Sequence, residues 1–237
     1  MKIRKILLVN GKEYGLVSDD VRLDLLSPGR ATFTVRSDKP LSKVITLDAG
    51  WNDRLFRFFI GYIESSITIN SQQQKIFCRE ITATLNRELF LSLRNVTLKE
   101  VVNQIGKTTG LTFAIPEADY CATVSPFYYH LGGGYQALDQ LGKVYRIPLF
   151  IWQLQQNGKV YLGSWNDSRW RDRPVIIPDK TFTQHLSSNS AVMPMIPSVR
   201  PGVHFNRGVI DSVQLYDTTM VVSWKPLKEL LTGYTLS

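Results

Sequence analysis

Cysteine is scarce in this chain. There are two in 237 residues, Cys78 and Cys121, far apart and without the Cys-x-x-Cys spacing of a zinc or redox site. Two reduced, buried thiols are expected, with a single Cys78–Cys121 disulfide as the alternative. Histidine is little more common: His130, His185 and His204 stand alone, with no His-x-His or His-x-x-x-His context, so no metal is expected. Long apolar runs are missing too. Nothing approaches the ~20 residues that span a bilayer, so the chain is expected to be soluble, with no membrane insertion of its own. The opening Met1 to Asn10 has an apolar run, Ile6 to Val9, too short for a signal sequence, and no small-residue cleavage site follows. It reads as a first β-strand. Finally, the formal charge of +8 is spread thinly along the chain instead of gathered in one stripe, which argues against sequence-specific nucleic-acid binding.

What is present suits a globular protein of one large or two small domains: 43% apolar, 20% charged and 11% aromatic residues. The first third reads as β-structure. Lys5–Val9 and Glu13–Leu16 flank Asn10-Gly11, a hairpin signal. Val21–Leu26 and Ala31–Val35 flank Ser27-Pro28-Gly29-Arg30, which predicts a second hairpin with its turn at Pro-Gly. Ala31, Phe33 and Val35 alternate with Thr32, Thr34 and Arg36, so one face lies in a core. Lys43–Leu47, the aromatic run Leu55 to Ile63 interrupted by Gly61, and Lys75–Ala83 add strands, with Gly61 predicting a bulge or bend.

The middle changes character. Thr97-Leu98-Lys99-Glu100 is a capping box, followed by Leu98, Val101, Val102 and Ile105 at helical spacing and stopped by Gly106 or Gly110. Gly132-Gly133-Gly134 opens a second helix with Ala137, Leu138, Leu141, Val144 and Tyr145 on one face. Leu149–Gln153 and Val160–Gly163 then flank an Asn157-Gly158 turn. From Asn166 to Pro201 the pattern weakens, and five of eleven prolines fall there. Strands return at Gly208–Leu215 and Thr219–Trp224. The expected fold is α+β, mainly β: a β-barrel module over 1–85, an inserted α/β unit with two helices over 86–165, an extended proline-containing arm over 166–201, and C-terminal strands over 202–237 that complete the barrel.

No constellation for chemistry emerges. Gly132-Gly133-Gly134 lacks the trailing Gly-Lys-Ser/Thr of a phosphate loop and reads as a helix-entry turn. Asp19-Asp20 and Glu117/Asp119 read as solvated loop acids instead of paired catalytic carboxylates. No catalytic residue, cofactor or enzyme activity is expected. The most unusual segment is Trp165 to Arg173, where two tryptophans interleave with three arginines. Trp and Arg are favoured interface anchors, so Trp165, Trp170, Arg171 and Arg173 are the candidate interface residues.

Taken in order, several segments resemble the hub proteins of phage tails, a family that includes the baseplate hubs of contractile and Mu-like phages and the base of the type VI secretion spike. They are Arg22 to Val35, Phe59-Ile60-Gly61-Tyr62-Ile63-Glu64-Ser65, Val96 to Phe113, Phe127 to Trp165, and Arg207 to Val213 followed by Met220 to Trp224. The resemblance implies a homotrimeric ring joining the tail tube to the central spike or tip, with a lumen that passes DNA. It also implies tube-side and spike-side tail proteins as partners, and a place in the virion after synthesis in the host cytoplasm. Two other readings compete. Asn95 to Val101 with Thr109-Gly110-Leu111 also resembles the periplasmic βαβ module of secretins, and a nucleic-acid-binding barrel remains compatible with the strand pattern.

Overall fold

The computed structural model describes residues 2–52 and 54–226. The first third supplies β1 (Ile3–Val9), β2 (Lys12–Tyr14), β3 (Leu16–Asp24), β4 (Ser27–Arg36), β5 (Lys43–Trp51), β6 (Arg54–Asn70) and β7 (Gln73–Glu80). The middle supplies β8 (Glu88–Thr97), α1 (Leu98–Thr109), β9 (Phe113–Ala114), the single-turn α2 (Asp119–Ala122), β10 (Val124–Gly133), α3 (Gly134–Val144), β11 (Phe150–Leu154) and β12 (Val160–Ser164). The last part supplies β13 (Gln184–Ser187), β14 (Ser190–Pro194), β15 (His204–Phe205), β16 (Gly208–Tyr216) and β17 (Thr219–Lys225). The molecule is mainly β with an α/β insertion, as expected. Among the described residues no helix is long and apolar enough to cross a membrane.

Twelve strands form one sheet, in the order β13-β14-β17-β16-β3-β4-β7-β6-β5-β1-β2 with β15 beside β16. The barrel expectation needs correction here. β16 adds to β3 by pairing Ser212 with Asp24 through Tyr216 with Asp20, so the C-terminal strands extend the sheet instead of closing it. The lobe β3-β4-β7-β6-β5-β1 curls until its end strands meet, but no hydrogen-bonded ladder joins β1 to β3. They meet through side chains. Lys5 Nζ lies 2.7 Å from both carboxylate oxygens of Asp19; Asp19 is buried and Lys5 half-buried. The same ammonium donates to the carbonyl of Asp217, so one cation ties β1, β3 and the β16–β17 turn. Asp19 is therefore no solvated loop acid. Its burial raises its pKa, a desolvation effect larger than the lowering by Lys5.

Curling depends on the long strand β6, which pairs with β5 from Arg54 to Ile63 and with β7 from Gly61 to Asn70. Gly61 sits in the overlap. A Cβ there would stand 2.1 Å from the carbonyl oxygen of Arg79, so only glycine admits both neighbours. Two of the ladder irregularities fall near it, at Leu47/Asp48 and Ile63/Ser65, and a third lies at the strand end, Thr68/Asn70. The Asn10-Gly11 hairpin forms with both residues at positive φ. The second hairpin turns earlier than Pro-Gly suggests. Asp24 pairs with Ser27, and Leu26 takes the left-handed conformation at φ 60°. Gly29 instead lies within β4, where a Cβ would stand 2.7 Å from the Leu23 side chain and where its amide donates to the buried Glu80.

The α/β unit forms a second core. The Thr97–Glu100 capping box is reciprocal: Thr97 N donates to Glu100 at 2.8 Å, Glu100 N donates back to the Thr97 hydroxyl, and Gly110 ends the helix at φ 76°. α1 and α3 cover one face of the two-stranded β8–β10 ribbon. Every residue of β11 and β12 is buried, and the pair faces both ways. Ile151 and Tyr161 join the large-sheet core, while Phe150, Trp152, Leu154, Val160 and Leu162 join the helical one.

The stretch over 166–201 corrects the arm expectation. β13 and β14 lie within it, and Ile177, Phe182, Ala191, Met193, Met195 and Val199 are buried in the large core. Its prolines shape a packed irregular segment, because apolar residues between them still reach the interior. The Lys5–Asp19 tie generates a prediction. Lys5→Met leaves a buried carboxylate unpaired and should lower the unfolding free energy by about 3 kcal/mol, read from the urea midpoint.

Candidate functional site

The aromatic–arginine segment splits into an inner and an outer half. Trp165 is 4% exposed; its indole Nε1 donates to Gly202 O at 2.9 Å and its ring meets His204 edge-on. Trp170 is 6% exposed and stands edge-on to Tyr161. Both indoles are used inside the chain, so the interface assignment of the two tryptophans does not hold for the folded protomer. Trp165 caps β12 where it leaves the helical core, and Ser164 receives help there. Its amide donates to the Tyr120 hydroxyl, which donates in turn to Asp167. Arg171 and Arg173 are exposed, and Arg171 reaches the carbonyl of Asn166. The sequence shows alternation of aromatic and cationic residues but not which of them turns inward.

Two buried charges carry the strongest electrostatics. Glu80 is buried and accepts from Gly29 N at 2.9 Å and from the Thr82 hydroxyl at 3.1 Å. Burial raises its pKa, opposed by those hydrogen bonds and by Arg200. Arg200 is also buried; it donates to Phe58 O at 2.5 Å and stacks over the Phe58 ring at 5.5 Å. Burial lowers its pKa to about 10 while the Glu80 carboxylate opposes the fall. This pair links the end of β7 to the irregular segment after β14. The hydrogen-bond partners of the two groups are backbone atoms and the Thr82 hydroxyl, and each feels the other's charge at a distance.

The remaining candidates are equally structural. His130 contacts Gln140 and the carbonyl of Gly133, fixing the entry to α3. Cys78 lies in the large core, where burial pushes its thiol up to about 12, while Cys121 belongs to the helical core, so the two do not meet. Among the described residues no group of three or more His, Cys, Asp or Glu is placed to hold a metal ion. What sequence reasoning missed is the outer face of the β8–β10 ribbon, where Phe90, Phe127, Tyr129 and Leu131 are exposed. The signal was present as alternation along Leu89 to Arg94, but polarity could not tell which face the helices cover.

A curled, unclosed sheet carrying an α/β insertion defines the class of the molecule: the chain has the fold of phage tail proteins and of related type VI secretion components. The 43 kDa tail protein of prophage MuSo2 from Shewanella oneidensis superposes with a TM-score of 0.69, covering 95% of this chain and 98% of that one at 11% identity. A tail protein from Neisseria meningitidis MC58 gives 0.64 over 94% and 96%, also at 11% identity. An E. coli component of the type VI secretion system, described as structurally similar to tail proteins of phage T4, gives 0.58 over 98% and 79% at 13% identity. In sequence, a 58.7 kDa protein of Haemophilus phage HP1 is 32% identical over 224 residues, which is 94% of this chain and 42% of that protein. The chain thus spans less than half the length of the curated relative it matches. No family model matches. The resemblance to tail hubs drawn from the sequence therefore holds at the level of fold.

Two predictions follow from the buried groups. Trp165→Ala should cost about 3–5 kcal/mol of stability while Arg171→Ala stays within about 0.5 kcal/mol, measured by chemical denaturation. For Glu80, the folded pKa lies above the ordinary carboxylate value of 4.5, so the folded state holds this proton more tightly. Its cost is then fully present above the folded pKa and disappears as pH falls toward 4.5. Wild-type stability measured relative to Glu80→Gln should therefore rise as the pH is lowered from 7 into the usual carboxylate range.

Proposed function

We propose that this chain is a structural hub protein of a phage tail baseplate or tail tip. Three copies assemble as a ring that joins the tail tube to the central spike or tip, and DNA passes through its lumen. The observation that carries this reading is the match to the Shewanella tail protein over nearly the whole of both chains. The shared fold extends to a type VI secretion component, and the relative in sequence is a phage protein. The two lobes of the sheet, on either side of the β3–β16 seam, support a pseudo-sixfold ring built from three chains, which would match hexameric tube rings. On this reading the protein works without catalysis, binds other tail proteins on its tube-side and spike-side faces, and is a component of the virion.

The ring is tested by multi-angle light scattering across a concentration series, followed by electron microscopy. A mass near three times the 27.0 kDa chain, with a central hole in the particle images, is the expected outcome. A single-chain mass at every concentration would count against a ring built by this chain alone.

A further inference from the structure

We infer that the outer face of the β8–β10 ribbon is the surface on which a second copy of this chain docks. The inference deepens the self-assembly in the hub reading and rests on it. β8 and β10 pair only with each other, so both outer edges of the ribbon are open among the described residues. One face is closed: Leu89, Leu91, Tyr128 and His130 are buried beneath α1 and α3. The other is bare, with Phe90 68%, Phe127 65%, Tyr129 58% and Leu131 58% exposed. Register makes these four one surface. Leu131 stands opposite Phe90, Tyr129 opposite Ser92, and Phe127 opposite Arg94, three successive same-face pairs along the ribbon.

Magnitude separates this stripe from ordinary surface. Single exposed apolar side chains need no partner, but a contiguous patch does. Three aromatics that each present ~150–250 Å² when fully exposed, with a leucine beside them, leave on the order of 500 Å² of apolar area uncovered. That is most of the ~800 Å² each partner gives to a standard interface, and the flanking Ser92 and Arg94 supply more. Arg94 is the one charged side chain among these facing pairs. Its guanidinium carbon lies 5.6 Å from the Phe127 ring centroid, so its charge is already held over an aromatic face.

The chemistry selects the occupant. A nucleic-acid partner would need several Lys or Arg on this face, and it has one arginine. A second copy needs apolar area of interface size with any carboxylate kept off its centre, and this face offers both: Glu88, exposed opposite Gly133, stands at the end of the stripe beyond the Phe90–Leu131 pair. In a closed ring each copy would offer this face to the next, so the apolar stripe would be buried once per protomer.

The test compares the full chain with Phe90→Ser/Leu131→Ser and, separately, Tyr129→Arg. Light scattering reads mass across a concentration series, and circular dichroism with thermal melting reads folding. Wild type is expected at a multiple of 27.0 kDa, and both folded variants at the single-chain mass, with association shifted to concentrations roughly a hundredfold higher. Folded variants that keep the wild-type mass overturn the inference and leave the ring reading standing. A wild-type pair that the variants split into single chains supports the inference while removing the three-fold ring. Wild type that stays a single chain at all concentrations overturns both. Ribbon amides protected from hydrogen exchange only after another tail protein is added would put a different protein on this face, which also overturns it.

Discussion

The structure depends on one hairpin being buried on both faces. β11 and β12 carry ten residues, all inaccessible, and they alternate between two cores. Ile151 and Tyr161 look toward the curled sheet, whereas Trp152, Leu154, Val160 and Leu162 look toward the helices. A strand pair used this way cannot alternate apolar with polar, and its sequences, Phe-Ile-Trp-Gln-Leu and Val-Tyr-Leu-Gly-Ser, do not. The consequence is mechanical as well as thermodynamic. Neither core can repack without moving the other, so the insertion is held to the sheet as a fixed appendage. Within the α/β unit the packing is equally close: a Cβ at Gly163 would stand 2.8 Å from Pro116.

Buried charges then fix what apolar packing leaves undetermined. Apolar contacts are non-directional and would tolerate several placements of the segment between β14 and β15. Arg200 does not: it needs the Phe58 carbonyl, the Phe58 ring and the nearby Glu80 together. Lys5 likewise selects one closure of the curled lobe, because Asp19 and the Asp217 carbonyl are brought together only when β1, β3 and the β16–β17 turn are all in place. Each pair is costly to desolvate and would be replaceable by apolar residues of similar volume, so its value lies in choosing one arrangement.

Local features of this fold were legible in the sequence to the extent that local chemistry determines them. The Asn10-Gly11 turn, the Thr97–Glu100 capping box, the Gly110 stop and the Asn157-Gly158 hairpin all form where their residues place them. Misreadings arose where a residue type answers to a distant neighbour. Gly29 resembles a turn glycine but is required by Leu23 across the sheet and by Glu80 from β7. The prolines of 166–201 suggested an arm, yet Met193, Met195 and Val199 are fully buried because strands far along the chain cover them. For the same reason the inward turn of Trp165 and Trp170 was not visible: their partners, Gly202 and Tyr161, belong to other elements.

These features together bear on the kind of work the molecule performs. The buried charged groups Asp19, Glu80 and Arg200 are satisfied by structural partners. Inside, a few polar atoms, those of Gln74 and Gln153 among them, lack a hydrogen-bond partner, while bare apolar surface lies outside, on the β8–β10 ribbon. An enzyme concentrates its unmet electrostatic demand in a cleft where substrate enters. A subunit of a larger assembly concentrates its unmet hydrophobic demand on a face that another protein covers. The β8–β10 ribbon adds to the two-core body a bare sheet face, held in fixed orientation by helices anchored through a shared hairpin. On the proposed hub reading, that combination would transmit position from one neighbour to the next, which is the physical requirement on a part that joins other proteins end to end.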